Sequence, residues 1–456
     1  MNLDNILKNI TYKKVINRQN FEINKVCIDT RKIKPNDLFV GIKGKKYDGN
    51  KLFKEALIKG ASICILESII ETDELKTYLQ ENKKTIIIVE DTIKTLGELA
   101  KYKRDLFIGK VIAITGSSGK TSTKDIIYSI LKEKYNVYKT NENLNNEIGL
   151  PFSILEASLN CDYWILEMGM NHLNEISYLS KIANPDTAVI TNVGSSHIGN
   201  LGNRKNILKA KLEILDGLKE NGLVLINNDN DLLHKWYLKN KKYIVKTIGI
   251  ENKSDYQATN IKLKEQYSEF IVDKNKLKIN TGGIHFIYNA LIGYAIGKIN
   301  NVNVKEIKEG INKLCLSKNR MNIIKKSKIT IIDDCYNSNY DSCKYSLKYL
   351  GNFKNRKIAV LGTMKELGKH SKKYHKLLGK SIKEAGIDIL ITVGEYTNLI
   401  NKEAEKLGLK QENSYHYKNN SDAINKIKEI AKKKDVVLIK ASHSMNFKEI
   451  VEKISM

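Results

Sequence analysis

The chain has 456 residues, 41% of them hydrophobic, which is room for about three domains with packed cores at roughly 150 residues each. No stretch approaches the ~18 consecutive apolar residues of a membrane span, the opening MNLDNILKNITYKK is too interrupted by Asp and Asn for a signal peptide, and six scattered cysteines without a CxxC read as reduced thiols of a cytoplasmic protein. The net charge is +26, yet only six of 77 basic residues are arginine and the lysines are spread along the chain, so the charge fits anionic substrates better than a nucleic-acid platform.

The first informative stretch is CIDTRKIKPNDLFVGIKGKKYDGN, 27–50. A hairpin with a Pro35-Asn36 turn accounts for its proline but not for Arg31 in a chain so poor in arginine. Short apolar runs of buried-strand type follow at 61–67 and 83–89. A polar, basic stretch at 101–110 is the expected first domain boundary. VIAIT (111–115) then runs into GSSG, Lys120, Thr121 and a helical pattern whose Ile126, Ile127, Ile130 and Leu131 share one face. Strand, GxxGKT and helix in this order form a phosphate cradle. Glycines bring backbone N–H groups close to phosphate oxygens, and the helix start attracts anions. Lys120 would reach the β- and γ-phosphates, and Thr121 would hold Mg²⁺. The usual P-loop has one more glycine, where this chain has Ile114.

TNENLNNEIGLP (140–151) crowds four asparagines into one loop. Amides suit sugar hydroxyls and peptide carbonyls, although an Asn-rich loop is also ordinary in an Asn-rich chain. YWILEM ends a strand at Glu167, where a carboxylate faces the ligand crevice of an α/β sheet and can hold Mg²⁺. DTAVITNV is a strand followed by a loop bearing His197, and a lone histidine is more often structural than a ligand. Lys211 lies on a helix in KAKLEI. GLVLINND, KIAVLG, IDILITVG and DVVLIKAS are further apolar strands, and LCLSKNRMN (314–322) is the expected second boundary. Strands alternating with helices predict an α/β protein with mainly parallel sheets. The expected domains are 1–106, 107–316 and 317–456.

TGSSGKTSTK resembles the ATP loop of the Mur ligase family, the amide-forming ligases of peptidoglycan synthesis, whose short TGxxGKT form accounts for the missing glycine. The resemblance runs from about Asp29 to Met445 with motifs in order. It implies a central P-loop ATPase domain between a smaller α/β N-terminal domain and a Rossmann-like C-terminal domain. It also implies ATP contacts by Thr115, Gly116, Ser117, Ser118, Gly119, Lys120 and Thr121. Asn227 of INNDN and His285 and Asn289 of GGIHFIYNA would meet adenine, Arg320 of SKNRM would reach ATP, and Asp334, Asn337 and Asn339 of DDCYNSN would meet ribose and phosphates. Glu167 of EMG, His197 and the AKxE lysine, Lys211, would serve catalysis and Mg²⁺ with Thr121, Lys211 as a carbamate.

TxxNxNNxIGxP resembles the branch that joins D-alanyl-D-alanine to UDP-N-acetylmuramoyl-tripeptide. Thr140, Asn143, Asn145 and Asn146 would then touch the nucleotide-sugar peptide, Thr30, Arg31, Lys43 and Gly44 its UDP moiety, and Lys440 and Ser442 of LIKASHSM the dipeptide. The chain departs from the family pattern at Asn50, Tyr340, Thr363, Ala441 and His443. The resemblance implies an ATP- and Mg²⁺-dependent acid–amino-acid ligase of peptidoglycan precursor synthesis, and so of cell shape and division. The partners expected are its two substrates, with no nucleic acid, no membrane insertion and a monomeric state. Two alternatives stay open. One is a sister ligase adding a single amino acid, although the DNPR stretch common in the enzyme adding the third residue is absent. The other is a basic ATP-dependent nucleic-acid protein, although no RNA-binding signature or aromatic stacking motif is present.

Overall fold

The computed structural model describes residues 2–44, 47–141, 143–315, 317 and 319–455. Among them the strands form four sheets, within residues 14–88, 110–257, 259–279 and 322–440. The expected boundary at 316/317 falls on Leu316, which lies outside the described residues.

In the first sheet Val26–Cys27, Leu38–Val40, Ile63–Leu66 and Thr85–Ile88 run parallel, and Lys14–Ile16 adds an antiparallel edge. The Pro35-Asn36 turn is real: Asp37 N donates to Lys34 O at 3.1 Å and Asn36 has φ 63°, the left-handed third position of a type II turn. The hairpin expected around it is not formed. The strands it joins are parallel, which requires a crossover, and Arg31 lies in that crossover on the short helix Thr30–Lys32.

The second sheet is all parallel and seven-stranded. Lys110–Thr115 lies inside it, with Tyr163–Glu167 on one side and Thr187–Ile190 on the other. The chain therefore leaves this strand in opposite directions, opening a crevice at the carboxyl ends where α/β sheets bind ligands. These strands are buried on both faces, which is why they read as unbroken apolar runs. Helix Lys120–Leu131 follows strand Lys110–Thr115 and buries Ile126, Ile127, Ile130 and Leu131.

The stretch at 101–110 is only partly a linker. Its first half completes helix Thr92–Asp105, and Arg104 is buried, donating to the carbonyls of Ala183 (2.7 Å), Asn184 (2.9 Å) and Phe107 (3.1 Å). A basic residue that reads as solvated thus ties the first helical layer to the second sheet. The last sheet is parallel except for its edge strand Asn322–Lys325, and its carboxyl ends bring Asp333 and Lys440 onto neighbouring strands. None of the six cysteines is disulfide-bonded, and five are buried. Among the described residues no helix is long and apolar enough to cross a membrane.

Candidate active site

The phosphate loop is built by close approach. Gly116 has φ 154° and a Cβ there would stand 1.8 Å from Thr191 Oγ1, while Gly119 has φ 79° and opens the helix. Two side chains of the neighbouring strand's loop pin the turn. Thr191 Oγ1 donates to Ser118 O (2.7 Å), and Asn192 both accepts from Ser118 N (3.1 Å) and donates to Ser118 O (3.0 Å). Thr115 is buried, its hydroxyl on Met168 O at 3.0 Å. Lys120 folds over the loop and donates to Gly116 O at 3.0 Å. Its enclosed position lowers its pKa, against the pull of Glu167.

Glu167 ends its strand facing this loop. Its Oε2 accepts from Thr121 Oγ1 (2.9 Å), its Oε1 from Asn145 Nδ2 (2.9 Å), and Lys124 Nζ lies 3.7 Å from Oε2. Lys124 also donates to Thr140 O at 2.7 Å, and the Thr140 hydroxyl accepts from Glu167 N at 3.0 Å. One buried cation thus joins the phosphate-loop helix, the Glu167 carboxylate and the asparagine loop. Burial lowers its pKa and Glu167 opposes that. Reading the sequence missed Lys124, because nothing in a lysine-rich chain marks one lysine as buried.

The asparagine loop divides. Asn143, Asn145 and Asn146 line the cavity, whereas Thr140 is buried and serves Glu167 instead. Asn146 Oδ1 accepts from Gly149 N at 2.8 Å, and Tyr336 O–H donates to Asn143 Oδ1.

A cavity of about 430 Å³ extends from the phosphate loop to the last sheet. On its far side Lys440 Nζ donates to Asp334 (2.5 Å) and to Asn337 O (3.1 Å), and Ser346 Oγ also donates to Asp334 (2.6 Å). The Arg320 guanidinium sits 3.9 Å over the Tyr336 ring, with its buried Nε unpartnered among the described residues. His285 Nδ1 is likewise buried without a partner among the described residues, and burial drops this imidazole to about 4. Asn227 accepts from Asp229 N (3.0 Å), and Asn289 from Thr123 Oγ1 (3.2 Å). Asn339 caps helix Tyr340–Leu350 and reaches Ser196 Oγ at 2.7 Å. Ser442 lies outside the cavity lining, buried and accepting from Lys365 N at 2.9 Å.

The expected metal set is spread out. Among the described residues no three His, Cys, Asp or Glu side chains converge on one point. Thr121 and Glu167 pair as above. His197 lines the cavity with Glu366 Oε2 2.8 Å from its Nδ1, a contact that holds the Glu366 carboxyl below its usual range. Lys211 is buried, its side chain without a hydrogen bond or ion pair among the described residues, and burial, then Lys120, push its pKa well down. Thr121 and Glu167 offer the hard oxygen donors that Mg²⁺ takes alongside waters and phosphate oxygens. Lys211 fits such a site only as a neutral or derivatised amine.

Thr30, Arg31, Lys43 and Gly44 belong to the first sheet's domain and do not line the cavity. Thr30 is buried, and the exposed Arg31 folds back on Asp29 at 2.8 Å, holding that carboxyl down at about 2. Gly44 N donates to Tyr47 O at 2.9 Å, and Lys43 bridges to Asp48.

Comparison with known proteins matches the same three regions. The Mur ligase family catalytic-domain model matches residues 22–104, the Mur ligase middle-domain model 114–297, and the Mur ligase glutamate ligase-domain model 319–443. The UDP-N-acetylmuramoyl-tripeptide–D-alanyl-D-alanine ligase of Bacillus subtilis is 35% identical, covering 94% of this chain and 93% of that one. Its Escherichia coli counterpart is 31% identical over 93% and 92%. Among solved structures, MurF from Acinetobacter baumannii superposes with a TM-score of 0.87 at 28% identity over 96% and 94% of the two chains. MurF ligase from Thermotoga maritima in complex with ADP gives 0.83 at 29% identity over 95% and 97%. With likeness of this degree running from end to end, on a short phosphate loop already set at a sheet's switch point, the chain belongs to the Mur ligase family.

Proposed function

We propose that this protein is the ligase that joins D-alanyl-D-alanine to UDP-N-acetylmuramoyl-tripeptide, with ATP cleaved to ADP and phosphate. The observation that carries the reading is one cavity lined by both the phosphate loop and the asparagine loop, with Glu167 hydrogen-bonded to each. Full-length relatives named for this reaction support the choice of substrates. We take 1–106, 107–316 and 317–456 as the domains for the UDP-sugar peptide, for ATP, and for closure on ATP and dipeptide, in a cytoplasmic monomer.

In this mechanism the N–H groups of residues 116–121 and the helix start hold the ATP phosphates. Lys120 leaves Gly116 O and meets the β- and γ-phosphate oxygens. A tripeptide carboxylate attacks the γ-phosphorus and ADP leaves, giving an acyl phosphate. The dipeptide amine then attacks the acyl carbon, an amide forms, and phosphate and a proton are released. Thr121, Glu167 and His197 would hold Mg²⁺, which would supply charge neutralisation on the phosphate oxygens. Asn145 and Lys124 keep Glu167 in place for that role, and His197 flanks the phosphates from the opposite loop. Lys211, held neutral, captures CO₂ as a carbamate with loss of a proton, exchanging a cation for an anion. Asn227, His285, Asn289 and Arg320 bind the nucleoside, with Asp334, Asn337 and Asn339 toward ribose and phosphates. Asn143 and Asn146 meet the sugar peptide, Arg31, Lys43 and Gly44 its diphosphate, and Lys440 the dipeptide side. Thr140, Thr30 and Ser442 shape these segments from beneath. Positioning of this kind supplies ~7–11 kcal/mol of barrier lowering.

Mass spectrometry of the purified protein with ATP, Mg²⁺ and both substrates tests the reading. A product equal to the two substrates less one water is expected. Recovery of unjoined substrates alone overturns it.

A further inference from the structure

The loop that carries His197 is docked on the last domain at several separate points. Gly199 N donates to Glu366 O at 2.9 Å, and Asp341 accepts from Ser195 N (2.6 Å) and Oγ (2.8 Å). A Cβ on Gly199 would stand 2.6 Å from Gly368 N and 2.7 Å from Glu366 O, so the two backbones meet only because residue 199 is glycine. At the centre of this seam Glu366 Oε2 faces His197 Nδ1 at 2.8 Å. Both residues hold left-handed backbone, φ 59° at His197 and 64° at Glu366, which side-chain-bearing residues adopt at a cost and which clusters at functional sites.

Glu366 is half-exposed, packs in no core, and is contributed by the opposite domain. An imidazole offers two distinct nitrogens. With Nδ1 against a carboxylate, Nε2 is the one left for the cavity that His197 lines. A carboxylate on one ring nitrogen is how a ligating histidine is oriented and made more basic.

We propose that Glu366 is a positioning residue: supplied by the C-terminal domain across this seam, it orients His197 toward the metal and phosphates. The proposal rests on the nucleotide–metal reading above.

The test is Mn²⁺ binding to the full-length protein saturated with ADP, read from the free Mn²⁺ electron-paramagnetic signal. Glu366→Ala is expected to weaken Mn²⁺ about 10- to 100-fold. Glu366→Gln, which keeps an oxygen able to occupy the Oε2 position beside Nδ1, stays within about threefold of the parent by the same reasoning. Gly199→Val keeps both side chains but blocks the seam, and is expected to match Glu366→Ala. Unchanged Mn²⁺ affinity in Glu366→Ala or in Gly199→Val overturns the proposal, as does an equal loss in the Ala and Gln variants. A parent protein with no ADP-dependent Mn²⁺ site overturns the functional reading instead. Should Glu366→Ala fail to bind ADP, the Gln and Val variants decide by the same criteria.

Discussion

Replacing Lys124 with methionine removes a buried cation without emptying its place. The side chain is 2% exposed, its ammonium donates to Thr140 O at 2.7 Å, and it lies 3.7 Å from a Glu167 carboxylate that is itself 3% exposed. A hydrogen bond to a charged group is worth ~1.5–3 kcal/mol, and breaking a buried pair from one side costs ~3–5 kcal/mol. Two effects pull toward the lower end. Glu167 keeps its donors Thr121 and Asn145, and methionine escapes the cost of burying an ammonium. A net loss of about 2–3 kcal/mol in the active arrangement corresponds to a fall of roughly 30- to 150-fold in kcat/KM. The assay is steady-state phosphate release for the parent, Lys124→Met, Glu167→Gln and the double variant. Because the two groups act together, the losses should fall short of additivity by at least about 1 kcal/mol. A Lys124→Met enzyme within threefold of the parent, or strictly additive losses, refutes the claim that this lysine acts through Glu167.

Three further outcomes are expected. Lys120→Ala should lose at least about 100-fold in kcat while its far-ultraviolet circular dichroism stays that of the parent; near-normal turnover would remove Lys120 from the ATP site. Activity should fall in CO₂-depleted buffer and return with bicarbonate, whereas Lys211→Arg should show neither response; a parent indifferent to CO₂ removes the carbamate. His285 is depressed from 6.5 to about 4 by burial, so between those values the unfolded chain binds its proton and the folded one does not. Stability should therefore rise with pH across that window and be lost as pH falls from 6.5 toward 4. Urea unfolding of the parent and His285→Gln at a series of pH values checks this, and a stability difference constant from pH 4 to 6.5 contradicts it.

The parallel strands were legible because burial on both faces leaves continuous apolar runs such as VIAIT and YWILE. The phosphate loop was legible because Gly116, Gly119, Lys120 and Thr121 act within a few residues of one another. Glu167 could be placed because a strand's end is a position in the chain as well as in the fold. What escaped the sequence depends on contacts between distant segments. Lys124 differs from its many exposed counterparts only by what the asparagine loop and Glu167 place around it. Glu366 and Asp341 meet His197 and Ser195 across a seam between domains, and no local pattern encodes that meeting. Arg104 read as a linker residue because its three carbonyl partners are supplied mostly from residues 183 and 184. Thr140 matched a motif for substrate contact, yet the fold turns its hydroxyl inward to a backbone N–H.

The central claim is that ATP is cleaved here to activate one substrate for attack by the other. Its most direct test is phosphate release from ATP with UDP-N-acetylmuramoyl-tripeptide and D-alanyl-D-alanine omitted in turn. The account predicts sustained release only when both are present, with one amide formed per phosphate. Sustained release that continues without either substrate would contradict it.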